Sequence, residues 1–210
     1  MKTIFFKMTT ALCIIFPLAT LAQSGPVTNA HPGVGKILVV GDSLAAGYKA
    51  TDNNVKPAGC LAKYFDHSHL INVAVPGLTS DQILRGVKHV TYQKPKLIFV
   101  SSGGNDTLHD NKTPGSYPAQ KTFDEMNVMF DDLLKTGAVV VYLGLNPPAP
   151  YAVRLPEIWP IAYGKGVIVV DGMDGLWENP LLMSDKYHPN NLGYSIMCDR
   201  IVAATRPYYP

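Results

Sequence analysis

The sequence is short of charge, of cysteine and of long apolar runs. Only 16% of its 210 residues are charged, and the formal net charge is +2. This balance provides no basic stripe of the kind that nucleic-acid binding requires, so nucleic acid is not expected as a partner. The chain also lacks internal repeats and low-complexity tracts. Its length therefore predicts a single domain with a substantial hydrophobic core.

The one long apolar run lies at the start of the chain. Lys2 and Lys7 precede an apolar run over residues 8–21, and small and polar residues follow it. These three parts are typical of a secretory signal peptide that is cut after Ala22. The alternative, a membrane anchor, needs roughly 20 apolar residues, which this run does not provide. We therefore predict a signal peptide over residues 1–22, a periplasmic or secreted mature protein, and no stable membrane span after processing.

The mature chain alternates apolar runs with helical patterns. Residues 23–35 are small and polar and predict an extended arm, whereas residues 36–210 predict the folded domain. Strands that alternate with helices favour a parallel sheet with helices on both faces. The expected fold is therefore α/β, a three-layer α/β/α sandwich around a mostly parallel five-stranded sheet. Strands are predicted at residues 37–40, 70–75, 97–100, 138–144 and 167–170, and segments 107–118 and 146–158 are predicted as loops.

One of the three cysteines, Cys13, lies in the predicted leader. Processing leaves Cys60 and Cys198, an even pair in an oxidising compartment. Cys60 begins the predicted first helix, residues 60–67, and Cys198 lies in the predicted last helix, residues 192–204. In a flavodoxin-like sheet these two helices are neighbours on one face, so a Cys60–Cys198 disulfide is geometrically feasible. Two buried thiols are the alternative, and both interpretations stay open.

Three polar side chains with the chemistry of acyl transfer lie at strand ends or in loops. Ser43 directly follows the first predicted strand, and ligands bind at the carboxyl ends of strands in open parallel sheets. Asp185 and His188 lie three residues apart, and the proline after His188 disfavours a helical conformation there. From a loop, an aspartate can orient one imidazole nitrogen while the other faces a serine hydroxyl. Taken alone, each motif has a simpler interpretation. Ser43 could be an N-cap, and Asp185 and His188 could be a surface ion pair.

Two further residues could stabilise a developing oxyanion. Gly77 follows the second predicted strand, and a glycine can bring its backbone N–H close to a ligand where a side chain would obstruct. Asn105 follows the third strand, and its amide is a hydrogen-bond donor that adds no charge. Separately, each of the two residues is also typical of a turn. Their occurrence together with Ser43, Asp185 and His188 favours catalysis.

Four blocks of sequence, in this order and approximate spacing, resemble the signature blocks of the SGNH (GDSL) hydrolase family. The resemblance covers the whole mature domain and is strongest to the bacterial periplasmic lysophospholipase, thioesterase and arylesterase branch. It implies a flavodoxin-like sandwich and no metal or organic cofactor. The blocks are Gly41-Asp42-Ser43-Leu44, residues 72–79, Gly103-Gly104-Asn105-Asp106 and residues 185–190.

The resemblance also implies a role for each matched residue. Ser43 would be the nucleophile, His188 the general base and then the general acid, and Asp185 the residue that orients His188. An oxyanion hole would be formed by three donors, which are the backbone N–H of Ser43, the backbone N–H of Gly77 and the side chain of Asn105. The remaining acidic residues of these blocks, Asp42 and Asp106, would brace the loops that carry Ser43 and Asn105.

The function that the resemblance implies is hydrolysis of carboxylic esters or thioesters by an exported serine esterase, through an acyl-serine intermediate. The expected partner is a small-molecule ester, and the expected form is a monomer. Two alternatives stay open, a carbohydrate O-deacetylase and a non-catalytic sugar-binding module on the same scaffold. Segment 146–158 is rich in proline, which predicts a stiff, pre-formed wall, and segment 107–118 has too little apolar content to predict a groove for a long acyl chain.

The histidines other than His188 do not predict a metal site. His67 and His69 lie close together, but no third ligand stands at a spacing that would complete a zinc site. The remaining three histidines, His31, His89 and His109, are scattered along the chain. No metal is therefore expected.

Overall fold

The computed structural model of the protein describes residues 35–65, 69–148 and 154–209. The predicted signal peptide and all of the predicted arm except Gly35 lie outside these ranges, as does His67. The strands are β1 Ile37–Gly41, β2 Leu70–Asn72, β3 Leu97–Ser101, β4 Val139–Leu143 and β5 Ile168–Val170. The helices are α1 Ser43–Ala46, α2 Pro57–Tyr64, α3 Ser80–Val90, α4 Gly104–Lys112, α5 Ala119–Leu134, α6 Ile158–Gly164 and α7 Asn191–Thr205.

The five strands form one parallel sheet in the order β2-β1-β3-β4-β5, which confirms the predicted fold. Every residue of β1, β3 and β4 is buried, as expected for parallel strands that helices cover on both faces. Helices α2 and α7 pack against each other, whereas α5 packs between α3 and α6. With right-handed crossovers this places the two helix groups on opposite faces of the sheet.

Helix α5 presents an apolar stripe to the core. Met126, Met129, Phe130 and Leu133 are fully buried at helical spacing. The ring of Phe130 meets the ring of the buried Tyr142 of β4 edge-on, with centroids 5.3 Å apart. The helix is therefore fixed to β4 of the sheet.

The prediction of a loop is wrong for residues 107–112, because α4 continues to Lys112, whereas residues 113–118 are neither helix nor strand. The segment carries no apolar stripe, and this is why its helical character is hidden in the sequence pattern. Instead α4 is held by buried polar side chains of its first turn, since Asp106 and Thr107 are both buried. Tertiary hydrogen bonds thus supply the contacts that an apolar face usually provides.

The second strand is shorter than predicted and ends at Asn72. The residues beyond it still run along β1, because the Val73 N–H donates to the Val39 carbonyl and the Val75 N–H donates to the Gly41 carbonyl, both at 2.9 Å. The predicted first helix is also displaced, since α2 begins at Pro57. Proline is favoured at a first helical position because its missing N–H has no partner there anyway.

None of the helices within the described part of the chain combines the length and the apolar character that crossing a bilayer requires.

A disulfide joins Cys60 of α2 to Cys198 of α7. Both cysteines are buried, and they form a small apolar cluster with Val202 and Phe65 beside the main core. The sequence separation of the two cysteines is 138 residues, so the bond closes most of the domain into one loop. It also fixes α7, which directly follows the loop that carries His188, to α2 in the first part of the domain.

The turn after β1 depends on Gly41. Its φ angle is +139°, in the region that favours glycine. A Cβ atom at this position would lie 2.2 Å from the carbonyl oxygen of Ser101 at the end of β3. The carboxyl ends of β1 and β3 can therefore approach closely only because residue 41 has no side chain.

We expect Gly41→Ala to lower the free energy of unfolding by about 2 to 4 kcal/mol, because it combines an unfavourable φ with a clash against backbone. Gly86→Ala is the matched control, since Gly86 lies within α3 and a Cβ there meets nothing within 4 Å. This control should stabilise by about 0.5 to 1 kcal/mol through helix propensity. Urea unfolding measures both, and equal effects of the two substitutions would contradict the role of Gly41.

We expect removal of the disulfide by the double substitution Cys60→Ala/Cys198→Ala to lower the free energy of unfolding by about 4 to 5 kcal/mol, the chain-entropy value for a closed loop of this size. Denaturant unfolding measures the change. Dithiothreitol should destabilise the wild type similarly and leave the double variant unaffected. An unchanged wild-type midpoint in dithiothreitol would show that the bond does not constrain the unfolded chain.

Candidate active site

Ser43, His188 and Asp185 form one hydrogen-bonded chain at the carboxyl edge of the sheet. The Nε2 atom of His188 lies 2.9 Å from Oγ of Ser43. Its Nδ1 atom lies 2.9 and 3.0 Å from the two carboxylate oxygens of Asp185. The structure therefore brings together the three residues that the sequence predicts as a triad. This arrangement can remove a proton from a serine hydroxyl and hold the resulting imidazolium against a carboxylate.

The loop that carries Asp185 fixes the direction of its carboxylate. The backbone N–H groups of Tyr187 and His188 each donate to Oδ1 of Asp185 at 2.8 Å. Partial burial raises the pKa of Asp185, but the hydrogen bonds from Tyr187 and His188 outweigh it and lower the pKa below the ordinary value. The carboxylate is thus ionised and accepts the Nδ1–H of His188, which leaves Nε2 free to accept from Ser43.

Contacts of both its backbone and its ring hold His188 in place. The carbonyl of His188 accepts a hydrogen bond from the Ser184 N–H at 2.8 Å. The ring of Tyr48, which follows α1, meets the imidazole edge-on at a centroid distance of 5.0 Å. Just beyond the loop, the side chain of Asn190 caps α7 by accepting from the N–H groups of Leu192 and Gly193. His188 is therefore anchored to the α1 segment and to the start of α7.

Asp42 ties the nucleophile turn to the neighbouring strand. Its carboxylate accepts from the Leu44 N–H at 3.0 Å and from the Ser101 hydroxyl at 2.8 Å. Asp42 is only 2% exposed, and burial raises its pKa against the opposing effect of these hydrogen bonds. The side chain caps α1 and bonds to β3, so it can brace the turn of Ser43.

Asn105 lies in the first turn of α4 and faces the same cavity as Ser43 and His188. One N–H of its amide donates to the Leu78 carbonyl at 2.9 Å. Because an amide nitrogen carries two hydrogens, this contact orients the group and leaves a second donor for a ligand. Gly77 lies one residue before Leu78, is exposed, has a φ of +87° and is not part of the cavity wall.

Asp106 is fully buried behind Asn105. Its carboxylate accepts from the backbone N–H of Ser80 at 3.0 Å, from the Ser80 hydroxyl and from the Thr122 hydroxyl at 3.3 Å. These partners belong to α3 and α5. Asp106 therefore connects the segment of Gly77, the helix of Asn105 and the covering helix α5.

A cavity of about 380 Å³ opens beside Ser43. Its walls are mostly apolar, although Asp42, Asn105, His188 and Lys186 also contribute. The low apolar content of segment 107–118 does not predict a groove for a long acyl chain, but Leu108 of this segment lines the cavity together with apolar residues of other segments. Apart from the proline-rich segment 146–158, nothing in the local sequence marks these residues, because they belong to no common periodic pattern. The apolar residues of the wall are Leu44, Leu108, Leu145, Pro147, Pro148, Leu155 and Trp177.

An ion pair fixes the proline-rich wall to α4. Arg154 is 8% exposed, donates to the carboxylate of Asp110 at 2.5 Å and donates to the Tyr117 carbonyl. The Tyr117 N–H and the Arg154 guanidinium together hold the pKa of Asp110 below its ordinary value. Leu155, directly after Arg154, lines the cavity, so the contact supports the expectation of a pre-formed wall. Residues 149–153 of the same segment lie outside the described residues.

Within the residues that the structure describes, no three His, Cys, Asp or Glu side chains come together in a group that could hold a metal ion. Two of the histidines considered for zinc, His31 and His67, lie outside those residues.

Comparison with known proteins gives matches in sequence. The model of the GDSL-like lipase/acylhydrolase family matches residues 39–196. The Escherichia coli (strain K12) protein named thioesterase 1/protease 1/lysophospholipase L1 is 26% identical over 179 residues, which cover 81% of this chain and 83% of that protein. An arylesterase of Vibrio mimicus is 26% identical over 134 residues, which cover 62% of this chain and 64% of the relative.

A solved structure has the same fold. The psychrotrophic esterase EstA from Pseudoalteromonas sp., inhibited by monoethylphosphonate, matches with a TM-score of 0.68 and 20% identity over 82% of this chain and 97% of that one. At this identity the likeness concerns the fold alone. The family match, by contrast, spans most of the domain and includes Ser43, Gly77, Asn105 and Asp185. The chain belongs to the GDSL-like lipase/acylhydrolase family and is an ester-hydrolysing enzyme.

Proposed function

We propose that this protein is an exported serine esterase that hydrolyses carboxylic esters or thioesters through an acyl-Ser43 intermediate. The observation that carries the proposal is the unbroken chain of hydrogen bonds from Asp185 through His188 to Ser43, beside an apolar cavity. All three side chains are in place without any movement of the backbone. The same arrangement would serve no purpose in a protein that only binds sugars.

In the acylation step, Nε2 of His188 takes the proton of the Ser43 hydroxyl as Oγ attacks the carbonyl carbon of the ester. The ionised Asp185 stabilises the imidazolium. Negative charge develops on the carbonyl oxygen, where the N–H of Ser43 and the amide of Asn105 donate hydrogen bonds. The family resemblance implies the N–H of Gly77 as a third donor. The bond to the leaving alcohol or thiol then breaks, and His188 gives that group its proton.

In the deacylation step, water repeats the attack. His188 removes a proton from the water, the hydroxyl adds to the acyl carbon, and the same donors stabilise the second oxyanion. The bond between the acyl carbon and Oγ breaks, and Ser43 recovers its proton from His188. The products are a carboxylic acid and the free enzyme.

The cavity favours an acyl or aryl group of several carbons over acetyl. Its volume of about 380 Å³ lies in the range of roughly 300 to 1,000 Å³ that is typical of sites for drug-sized ligands. Its apolar walls offer few partners for the hydroxyls of a sugar. The names of the relatives, a thioesterase and lysophospholipase and an arylesterase, support the same substrate class for this chain.

We place the mature protein in the periplasm or the medium. The N-terminal pattern of residues 1–22 supports export. The Cys60–Cys198 disulfide adds a second argument, because such bonds persist in oxidising compartments and are rare in the cytosol.

Ser43→Ala should abolish hydrolysis of p-nitrophenyl butyrate, because no other group on this path can carry the acyl chain. A fluorophosphonate probe should label wild-type Ser43 and leave the variant unlabelled, as detected by mass spectrometry. Phosphonate inhibition of the structural relative EstA supports the choice of probe. Equal turnover by Ser43→Ala would overturn the nucleophile, and a wild type that is neither active nor labelled would favour the binding module.

Wild-type kcat/KM should be at least about tenfold higher for p-nitrophenyl octanoate than for the acetate, because the apolar walls reward each added methylene. Leu108→Trp narrows the cavity, so it should remove most of this advantage and leave acetate hydrolysis within about threefold. Val128→Trp on the exposed side of α5, where Val128 is 42% exposed, is the matched control and should change neither. A sharp wild-type preference for acetate would favour the O-deacetylase instead.

A further inference from the structure

A pair of carboxyl groups shares one serine hydroxyl behind the proposed oxyanion hole. The Oγ atom of Ser80, at the start of α3, hydrogen-bonds with Asp106 of α4 and lies 2.5 Å from Oε2 of Glu125 on α5. Ser80 is fully buried, and the Glu125 side chain is only 15% exposed. The mechanism proposed above uses neither Glu125 nor Ser80.

The two hydrogen bonds that join Ser80 to Asp106 and to Glu125 require two protons. A serine hydroxyl carries one hydrogen, so Ser80 can donate to one carboxylate but must accept from the other. Asp106 also accepts from the Ser80 N–H and from the Thr122 hydroxyl, which are contacts that suit an ionised carboxylate. The second proton therefore belongs on Glu125, which donates to Ser80 while Ser80 donates to Asp106.

The surroundings of Glu125 support this assignment. Burial has the largest effect and raises the pKa of Glu125, and the negative charges of Asp81 and Asp106 raise it further. The hydrogen bond with Ser80 and the charge of Lys121 lower it. Lys121 is the opposing cation, but its Nζ lies 3.8 Å from Oε1. The net effect is that Glu125 keeps its proton to a higher pH than an ordinary glutamate.

Ser80 is adjacent to the proposed oxyanion donors. It follows Leu78 by two residues, and the Leu78 carbonyl is the group that orients the Asn105 amide. Gly77 directly precedes Leu78. A shift of Ser80 would thus move both Gly77 and the anchor of Asn105 relative to Ser43.

We propose that Glu125, in its protonated form, is a positioning residue for the oxyanion hole: it donates to Ser80, and Ser80 donates to Asp106. This inference rests on the proposed function. When Glu125 loses its proton, two carboxylates face a hydroxyl with a single hydrogen. Ser80 can then donate to only one of them, and the repulsion between Asp106 on α4 and Glu125 on α5 displaces Ser80 at the start of α3. Stabilisation of the transition state should weaken while binding of the substrate is retained, so kcat falls and KM is preserved.

The test compares Glu125→Gln and Glu125→Ala with the wild type between pH 5 and 10. A glutamine amide donates to Ser80 at every pH, so Glu125→Gln should match the wild-type kcat on the acid side. Glu125→Ala should lower kcat about tenfold at every pH, a part of the 10²- to 10³-fold that loss of a whole oxyanion donor costs. KM should stay within twofold in both variants.

The decisive readout is the ratio of wild-type to Glu125→Gln kcat, because the titration of His188 cancels in it. The ratio should be near one at low pH and fall with rising pH through a single one-proton transition. Over this transition the kcat of the wild type should approach that of Glu125→Ala. The ratio falls with rising pH because only the wild type loses the proton with which residue 125 donates to Ser80. Asp124→Asn, an exposed carboxyl one residue earlier on α5, is the matched control and should leave the profile unchanged.

A ratio that does not change with pH would overturn the inference, as would a Glu125→Gln variant that behaves like Glu125→Ala. Thermal unfolding of each variant identifies any loss of activity that comes from loss of fold, and such a loss would not depend on pH in this way. Failure of the proposed function is distinguishable, because the wild type would then lack esterase activity and fluorophosphonate labelling altogether.

Discussion

The close approach of two strand ends is the constraint on which the rest of the site depends. Gly41 at the end of β1 lies against the backbone of Ser101 at the end of β3, and the hydroxyl of Ser101 donates to Asp42. Neighbouring strands of a parallel sheet both end at the same edge, so the residues that follow them emerge side by side. Ser43, the proposed nucleophile, and Asn105, a proposed oxyanion donor, occupy those two positions.

His188, the proposed general base, comes from near the other end of the chain and needs separate anchors. The Asp185 carboxylate is fixed by backbone N–H groups of its own loop, which makes this part of the site nearly independent of the sheet. Helix α7 then attaches the loop to the domain, since the Tyr194 hydroxyl donates to the Tyr48 carbonyl and Cys198 is bonded to Cys60. Local order and long-range attachment together bring His188 to Ser43.

The polar groups behind the site have a different role from those inside it. Asp42 and Asp106 are both buried, and each joins a turn of the candidate active site to a neighbouring element. Buried carboxylates of this kind are costly unless every oxygen is hydrogen-bonded, and a satisfied network then specifies one arrangement of its elements. The family resemblance suggested that these residues brace their loops, but their partners Ser101, Ser80 and Thr122 carry no recognisable signal.

The sequence by itself determined the fold class, the order of the strands along the chain and the candidate residues from Ser43 to His188, because each of these depends on local patterns: apolar runs, glycines and short motifs at strand ends. It misjudged α4, which lacks an apolar stripe. Only the tertiary structure decided the shape of the cavity, the pairing of Cys60 with Cys198 and the contact of Glu125 with Ser80. These features join segments that are far apart in the chain, and packing between distant segments leaves no periodic trace in any one of them.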